Sequence, residues 1–313
     1  MSERCRVVAV RGHEAGSGQE LSESAGPEVP VVGSGRELFR CVSRLRGQGE
    51  QVCVVPMTLG RHPDLVADTA RTLRALPAGE RHGTVLAEPF GTSQHLVAWL
   101  RAAAGRIPAD SALLLTAPSG DPFDDAELYR LGSLVGRHGG HELVEVAFLG
   151  GTPDPGEGVR RCALLGASAV TLLPAAFVPP EIPGDARVPV HRHGPLLSPA
   201  ALARVLAERV ADARRRWTEH GDDGVAAALG YADDHGYAHT HGPGGHDHGH
   251  DHVHDHDHGH DHGHGHGSGR NGHEHGHGLA HEHGHPHAHP HQHPPAPHHP
   301  PAPGAGQVNR STS

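Results

Sequence analysis

Histidine at every second position is the chemical signature of this sequence. His246, His248, His250, His252, His254, His256, His258, His260, His262, His264 and His266 alternate with aspartate, glycine and one valine. Nine of the 35 histidines precede Gly230, and the remaining 26 fall between His235 and His299. Neutral imidazole suits divalent nickel, cobalt, zinc and copper, and interleaved carboxylates add hard ligands. The spacing therefore predicts a tail that binds borderline transition metals at many sites. Three residues upstream could act on such an ion. His13 stands in Val10-Arg-Gly-His-Glu14, just past an apolar run, with Gly12 permitting close backbone approach. His62 stands in Val54-Val-Pro-Met-Thr-Leu-Gly-Arg-His62, just past another. Glu88 follows a third, in Thr84-Val-Leu-Ala-Glu88. Two imidazoles and a carboxylate on neighbouring loops can ligate a metal or accept protons. The plainer alternatives are an exposed loop histidine, a helix N-terminal histidine ahead of Pro63 and Asp64, and a solvated charge. His191 and His193 could line the far wall of the same cleft. His95, His138, His141 and His220 read as surface residues.

The elements that must position these residues alternate. Strands are predicted at Cys5–Val10, Gln51–Pro56, Thr84–Ala87, Ala112–Thr116, Leu143–Leu149, Ala169–Pro174 and Arg187–Val190. Helices are predicted at Arg36–Leu45, Asp64–Leu76, Gln94–Ala104, Asp125–Arg137, Gly156–Leu165 and Pro199–Trp217, with one turn possible in Val225–Tyr231. Alternation of this kind predicts an α/β fold with parallel sheets covered by helices. The pattern restarts midway. A helix with Cys41 leads to a strand ending at Pro56, and a helix with Cys162 leads to a strand ending at Pro174. We therefore expect two similar α/β halves, 1–108 and 109–220, with a cleft between their strand C-terminal ends, where open parallel sheets bind ligands. A linker over 221–245 and a disordered His-rich tail over 246–313 follow from their Gly/Pro-rich, core-poor composition.

Composition removes several classes. Of the net charge of −10, −7 falls from residue 231 onward and −3 before it, which argues against a nucleic-acid partner. There is no lysine, so Schiff-base chemistry and a Walker lysine are excluded, and no nucleotide-binding fingerprint is present. The four cysteines form no C-x-x-C pair, which suits a reducing compartment. No apolar stretch at the start or elsewhere has signal-peptide or membrane-spanning character, so the chain reads as cytosolic with no membrane partner.

The chain resembles the class II tetrapyrrole chelatases, specifically the sirohydrochlorin cobalt/iron chelatases of the CbiX and SirB type. The resemblance lies in Val54–His62 with Asp68 downstream, in Leu86-Ala-Glu-Pro-Phe-Gly91, in Val144–Leu149 followed by Gly166–Pro174, and in Gly12-His13 at the place of a first-strand histidine. It covers most of residues 5–215. It implies a lyase that inserts a divalent ion into sirohydrochlorin without ATP, in cobalamin biosynthesis if the ion is Co2+, with Fe2+ (sirohaem) or Ni2+ as alternatives. It implies His13 and His62 as metal ligands and proton acceptors, with Glu88 as a third ligand. Arg11 and Arg61 are then candidates to hold substrate carboxylates by bidentate hydrogen bonds. There are departures from the family pattern. Glu14 stands where a glycine is usual, and the corresponding stretches of the second half, Leu115–Gly120 and Ala175–Pro180, hold no histidine. One working site built on the first half is therefore expected. Gly16–Pro30 is short and polar, so the first helix is expected to be lost or misplaced. The competing reading is a non-catalytic relative that stores or ferries metal on its tail.

Overall fold

A computed structural model describes residues 5–184 and 186–231. The linker beyond Tyr231 and the whole tail, His246 to His266 included, lie outside the described residues.

The first sheet is built from β1 (Cys5–Arg11), β2 (Val31–Gly33), β3 (Gln51–Met57) and β4 (Thr84–Leu86), in the order β2-β1-β3-β4. The helices with it are α1 (Gln19–Ala25), α2 (Arg36–Gly47), α3 (Pro63–Arg74), α4 (Ala78–Arg81) and α5 (Ser93–Ala104). The second sheet holds β5 (Ala112–Pro118), β6 (Val144–Leu149), β7 (Val170–Pro174) and β8 (Val190–Arg192), in the order β6-β5-β7-β8. With it come α6 (Pro122–Gly139), α7 (Pro155–Leu164), α8 (Pro199–His220) and α9 (Val225–Leu229). Every strand pair is parallel, and the second sheet repeats the strand order of the first. This is the α/β architecture of two helix-flanked parallel sheets that the alternating runs require.

Side-chain alternation along each strand sorts the core. Ala9, Cys53, Val55 and Met57 face one way and join Leu113, Leu115, Ala117 and Leu173 of the second sheet in one shared core, closed by Leu96 and Leu100 of α5 and Leu128 and Leu131 of α6. Val8, Val10, Val52 and Val54 face the other way, against α2, α3 and α9. Leu114, Ala147 and Leu172 pack with Val159 and Cys162 of α7. The strands are therefore apolar on both faces, as buried parallel strands must be.

Three expectations change. The stretch Gly16–Pro30 does not lose its helix. Five of the seven residues of α1 are polar and leave only Leu21 to anchor it, yet Leu21 is fully buried and the helix forms around it, followed by β2 on the sheet edge. Helix α6 starts at Pro122 rather than Asp125, because Asp121 caps it by accepting from the backbone N–H groups of Phe123 and Asp124 at 2.8 Å each. His141 is a core residue and not a surface one: its ring contacts the Ser111 and Ala104 carbonyls at 2.9 and 3.1 Å. No described helix is long and apolar enough to cross a membrane.

Candidate functional site

Strands β1 and β3 are neighbours, paired from Cys5–Gln51 to Arg11–Met57. The segments that follow them must therefore emerge side by side at the C-terminal edge of the sheet. After β1 the chain forms a single 3-10 turn, His13–Ala15. After β3 it runs through residues 58–62, and His62 occupies the position just before α3, with Pro63 opening the helix. The turn after β5 and the start of α6 meet these loops from the second sheet.

The outcome is an imidazole pair. The rings of His13 and His62 lie 4.5 Å apart by centroid, tilted by 48°. Asp124 of α6 brings Oδ2 to 3.5 Å from His13 Nδ1. Both rings are half-buried, and His13 Nε2 and His62 Nδ1 are fully buried with no hydrogen-bond partner. Two glycines make the approach possible. A Cβ on Gly12 would lie 2.3 Å from His62 Nδ1, so the ring fits only over a bare backbone. Gly60 has φ +112, and a Cβ there would strike the backbone of Thr92 and Ser93 at 2.1 to 2.8 Å.

Burial sets the protonation of this cluster. It pulls His13 down to about 3, helped by the positive ends of His62 and Arg61. His62 is likewise lowered, chiefly by burial. Burial pushes Asp124 up to about 7, and the neighbouring Asp121 adds to the rise. Between pH 4 and 6 the His13–Asp124 contact is therefore one of neutral imidazole with carboxylic acid, not an ion pair, because burial opposes both charges. The linkage has opposite signs for the two groups. His13 titrates at 6.5 ordinarily and near 3 here, so its contribution to stability is complete above pH 6.5 and is lost on acidification toward pH 3. Asp124 titrates at 3.8 ordinarily and near 7 here, so its contribution is complete below pH 3.8 and is lost as pH rises through 7. In the metal-free protein, melting temperature against pH should lose its alkaline decline between pH 4 and 7 in Asp124→Asn, and its acid decline below pH 6.5 in His13→Asn. Profiles that merely run parallel to the unsubstituted protein would contradict this account.

The other candidates are placed differently. Glu88 is exposed and its carboxylate pairs with Arg216 of α8 at 3.2 Å, so it does not join the imidazoles. Among the described residues no group of three or more His, Cys, Asp or Glu side chains is arranged to hold a metal ion. Arg11 pairs with Glu37 of α2 at 3.8 Å and keeps about a third of its side chain in solvent. Arg61 is wholly buried. Its guanidinium donates to the Asp124 carbonyl (3.3 and 3.2 Å) and to Asp125 Oδ1 (3.3 Å), so it ties the two halves together instead of facing a substrate carboxylate. His191 and His193 lie exposed on and beside the edge strand β8, the latter contacting the Gly194 carbonyl.

Two residues of the site were not singled out for it by sequence reasoning. Asp124 belongs to the capped helix start Asp121-Pro-Phe-Asp-Asp125, a signal present in the sequence one turn before the predicted start at Asp125. Glu14 is fully buried, accepting from the Thr58 hydroxyl and, at 2.9 Å, from the Leu59 N–H. Nothing local in the sequence marks it as buried. Beside these loops a shallow cleft of about 330 Å3, counting the solvent at its mouth, is lined by Leu21, Leu59, Phe177, Pro195, Leu196 and Leu202.

No family model and no curated protein matches this chain. Among solved structures it is similar to a multi-domain protein of Deinococcus radiodurans, described as having structural similarity to chelatases together with two additional novel domains. The identity is 17%, the TM-score 0.40, and the match covers 67% of this chain and 55% of that one. The chain thus spans little more than half the length of that protein.

Proposed function

We propose that this protein is a metal chelatase that inserts a divalent ion, Co2+ first among the candidates, into sirohydrochlorin or a closely similar tetrapyrrole without ATP. The observation that carries the reading is the His13–His62 pair, two imidazoles 4.5 Å apart at the C-terminal edge of a parallel sheet. Both rings are biased to the neutral form, which is the form that binds metal and accepts protons. Insertion requires the ion to exchange water for ring nitrogens while the macrocycle loses two N–H protons. A pair of imidazoles could hold the ion by two bonds, leave its other positions to the incoming nitrogens and, as the ion departs, relay the released protons to solvent, since burial leaves both rings unprotonated near neutral pH. Phe123, 82% exposed one residue before Asp124, leaves a large apolar ring in solvent at the start of α6, which suits a flat hydrophobic ligand. The partly free guanidinium of Arg11 suits the carboxylates at its rim.

The test is direct. Purified protein is mixed with sirohydrochlorin and Co2+, Fe2+ or Ni2+, and insertion is followed by absorbance. Fastest insertion of Co2+ supports the assignment, and a faster rate with Fe2+ or Ni2+ reassigns the ion. Absence of insertion with every ion leaves the second reading, a storage or ferrying protein, which the 26 histidines beyond Gly230 favour.

On the first reading the tail is a metal reservoir tethered to the site, raising local ion concentration without new contacts. Removing residues 246–313 should leave the insertion rate intact at saturating Co2+ and lower it by roughly tenfold or more when Co2+ is limiting. Equal rates for the two forms at limiting Co2+ would eliminate the reservoir role.

A further inference from the structure

The geometry points to Glu14 as a positioning residue: its buried carboxylate, acting through Thr58, fixes the loop that carries His62 against the turn that carries His13. The inference rests on the chelatase reading only for its functional consequence. Its structural basis is a chain of hydrogen bonds. Glu14 follows His13 directly in the 3-10 turn. Its Oε2 accepts from the Thr58 hydroxyl and from the Leu59 N–H. The Thr58 oxygen in turn accepts from the Gly60 N–H at 2.9 Å and from the His62 N–H at 3.3 Å. One carboxylate thereby reaches the backbone amide of His62, 48 residues away, and orders the whole 58–62 loop.

The same turn is anchored on its other side. The Glu14 carbonyl accepts from the Phe177 N–H at 3.0 Å, in the segment after β7 of the second sheet. Burial pushes the Glu14 carboxyl up, the Arg61 guanidinium opposes that rise more than any other neighbour, and Arg61 also bonds the start of α6, where Asp124 faces His13. Glu14 thus connects every segment that sets the separation of the two rings. A residue without a side-chain acceptor at this position would leave the Thr58 hydroxyl and the Leu59 N–H without this partner. A buried group that accepts two hydrogen bonds from one loop holds that loop more narrowly than apolar packing does, because the bonds are directional.

Glu14→Ala and Thr58→Val, made in the full chain, separate positioning from folding. Partners that orient metal ligands typically cost about 10–100-fold in activity or metal affinity when removed. At saturating Co2+ each variant should lower kcat for insertion by that factor while KM for sirohydrochlorin stays within about twofold. Glu14→Gln and Thr58→Ser, which keep the acceptor and the hydroxyl, should each recover most of the loss. A second measurement needs no activity. Hydrogen exchange at the Leu59, Gly60 and His62 amides should accelerate at least tenfold in Glu14→Ala and Thr58→Val, while α2 and α8 keep their protection. Unchanged exchange in the 58–62 loop, or exchange accelerated uniformly through the protein, would overturn the positioning role. Local acceleration in a protein that inserts no metal would keep the role and remove the chelatase reading instead.

Discussion

Replacing His62 with alanine should lower metal insertion at saturating Co2+ by about 10²–10⁴-fold, the range lost when a positioned acid–base group is removed. His13→Ala should do the same, and the double variant should be little worse than either single one. Two ligands that act on one ion and one macrocycle work as a unit, so their losses do not add. Stability should move in a different direction from activity. His62 Nδ1 and His13 Nε2 are buried without partners, and a desolvated polar atom that finds no hydrogen bond costs about 1–3 kcal/mol. Removing either ring relieves that cost while opening a small void, so the melting temperature should stay the same or rise. Loss of activity without loss of stability distinguishes a site residue from a packing residue. Insertion at the normal rate in either variant would remove the pair from the mechanism.

Arg61→Met should be the most destabilising single change in the loops around the pair. The guanidinium is wholly inside, and its bonds to the Asp124 carbonyl and to Asp125 join the first sheet's loop to the first turn of α6. Methionine fills much of the volume but offers no donor and no charge. Asp125 would lose a cation, and Glu14, whose carboxyl burial already pushes up, would lose the guanidinium that most opposes that rise. Breaking a buried pair by deleting one partner costs about 3–5 kcal/mol. For a domain of this size that corresponds to a fall of roughly 10 °C in melting temperature. Arg61→Lys should recover little, since a point charge cannot serve the carbonyl and the carboxylate as the planar fork does. A melting temperature unchanged in Arg61→Met would show that the contact to α6 contributes nothing to the join between the halves.

Most of the architecture was legible in the sequence, for a local reason. Runs such as Val7–Val10 and Val52–Pro56 are apolar at every position, which only a strand covered on both faces tolerates, and helical spacing between them demands parallel crossovers. The same logic puts His13 and His62 just past strand ends, on adjacent loops. The first helix escaped because seven residues with a single buried leucine leave no periodicity to detect. His141 was misjudged because its polar ring is satisfied by two carbonyls, Ser111 and Ala104, that are distant or featureless in sequence.

What the chain determined by itself was the alternation of its elements, the restart of that alternation midway, and the position of two histidines just past strand ends. These follow from side-chain periodicity and glycine placement, which act over a few residues. Only the tertiary structure decided that Asp124 would meet His13 from the other sheet, that Arg61 would be sealed inside between the halves, that Glu88 would turn to Arg216, and that Glu14 would hold the loop of its partner histidine. Each of these is a question of which polar group loses its water and what it finds instead. That depends on segments brought together from far along the chain, and no local pattern encodes it.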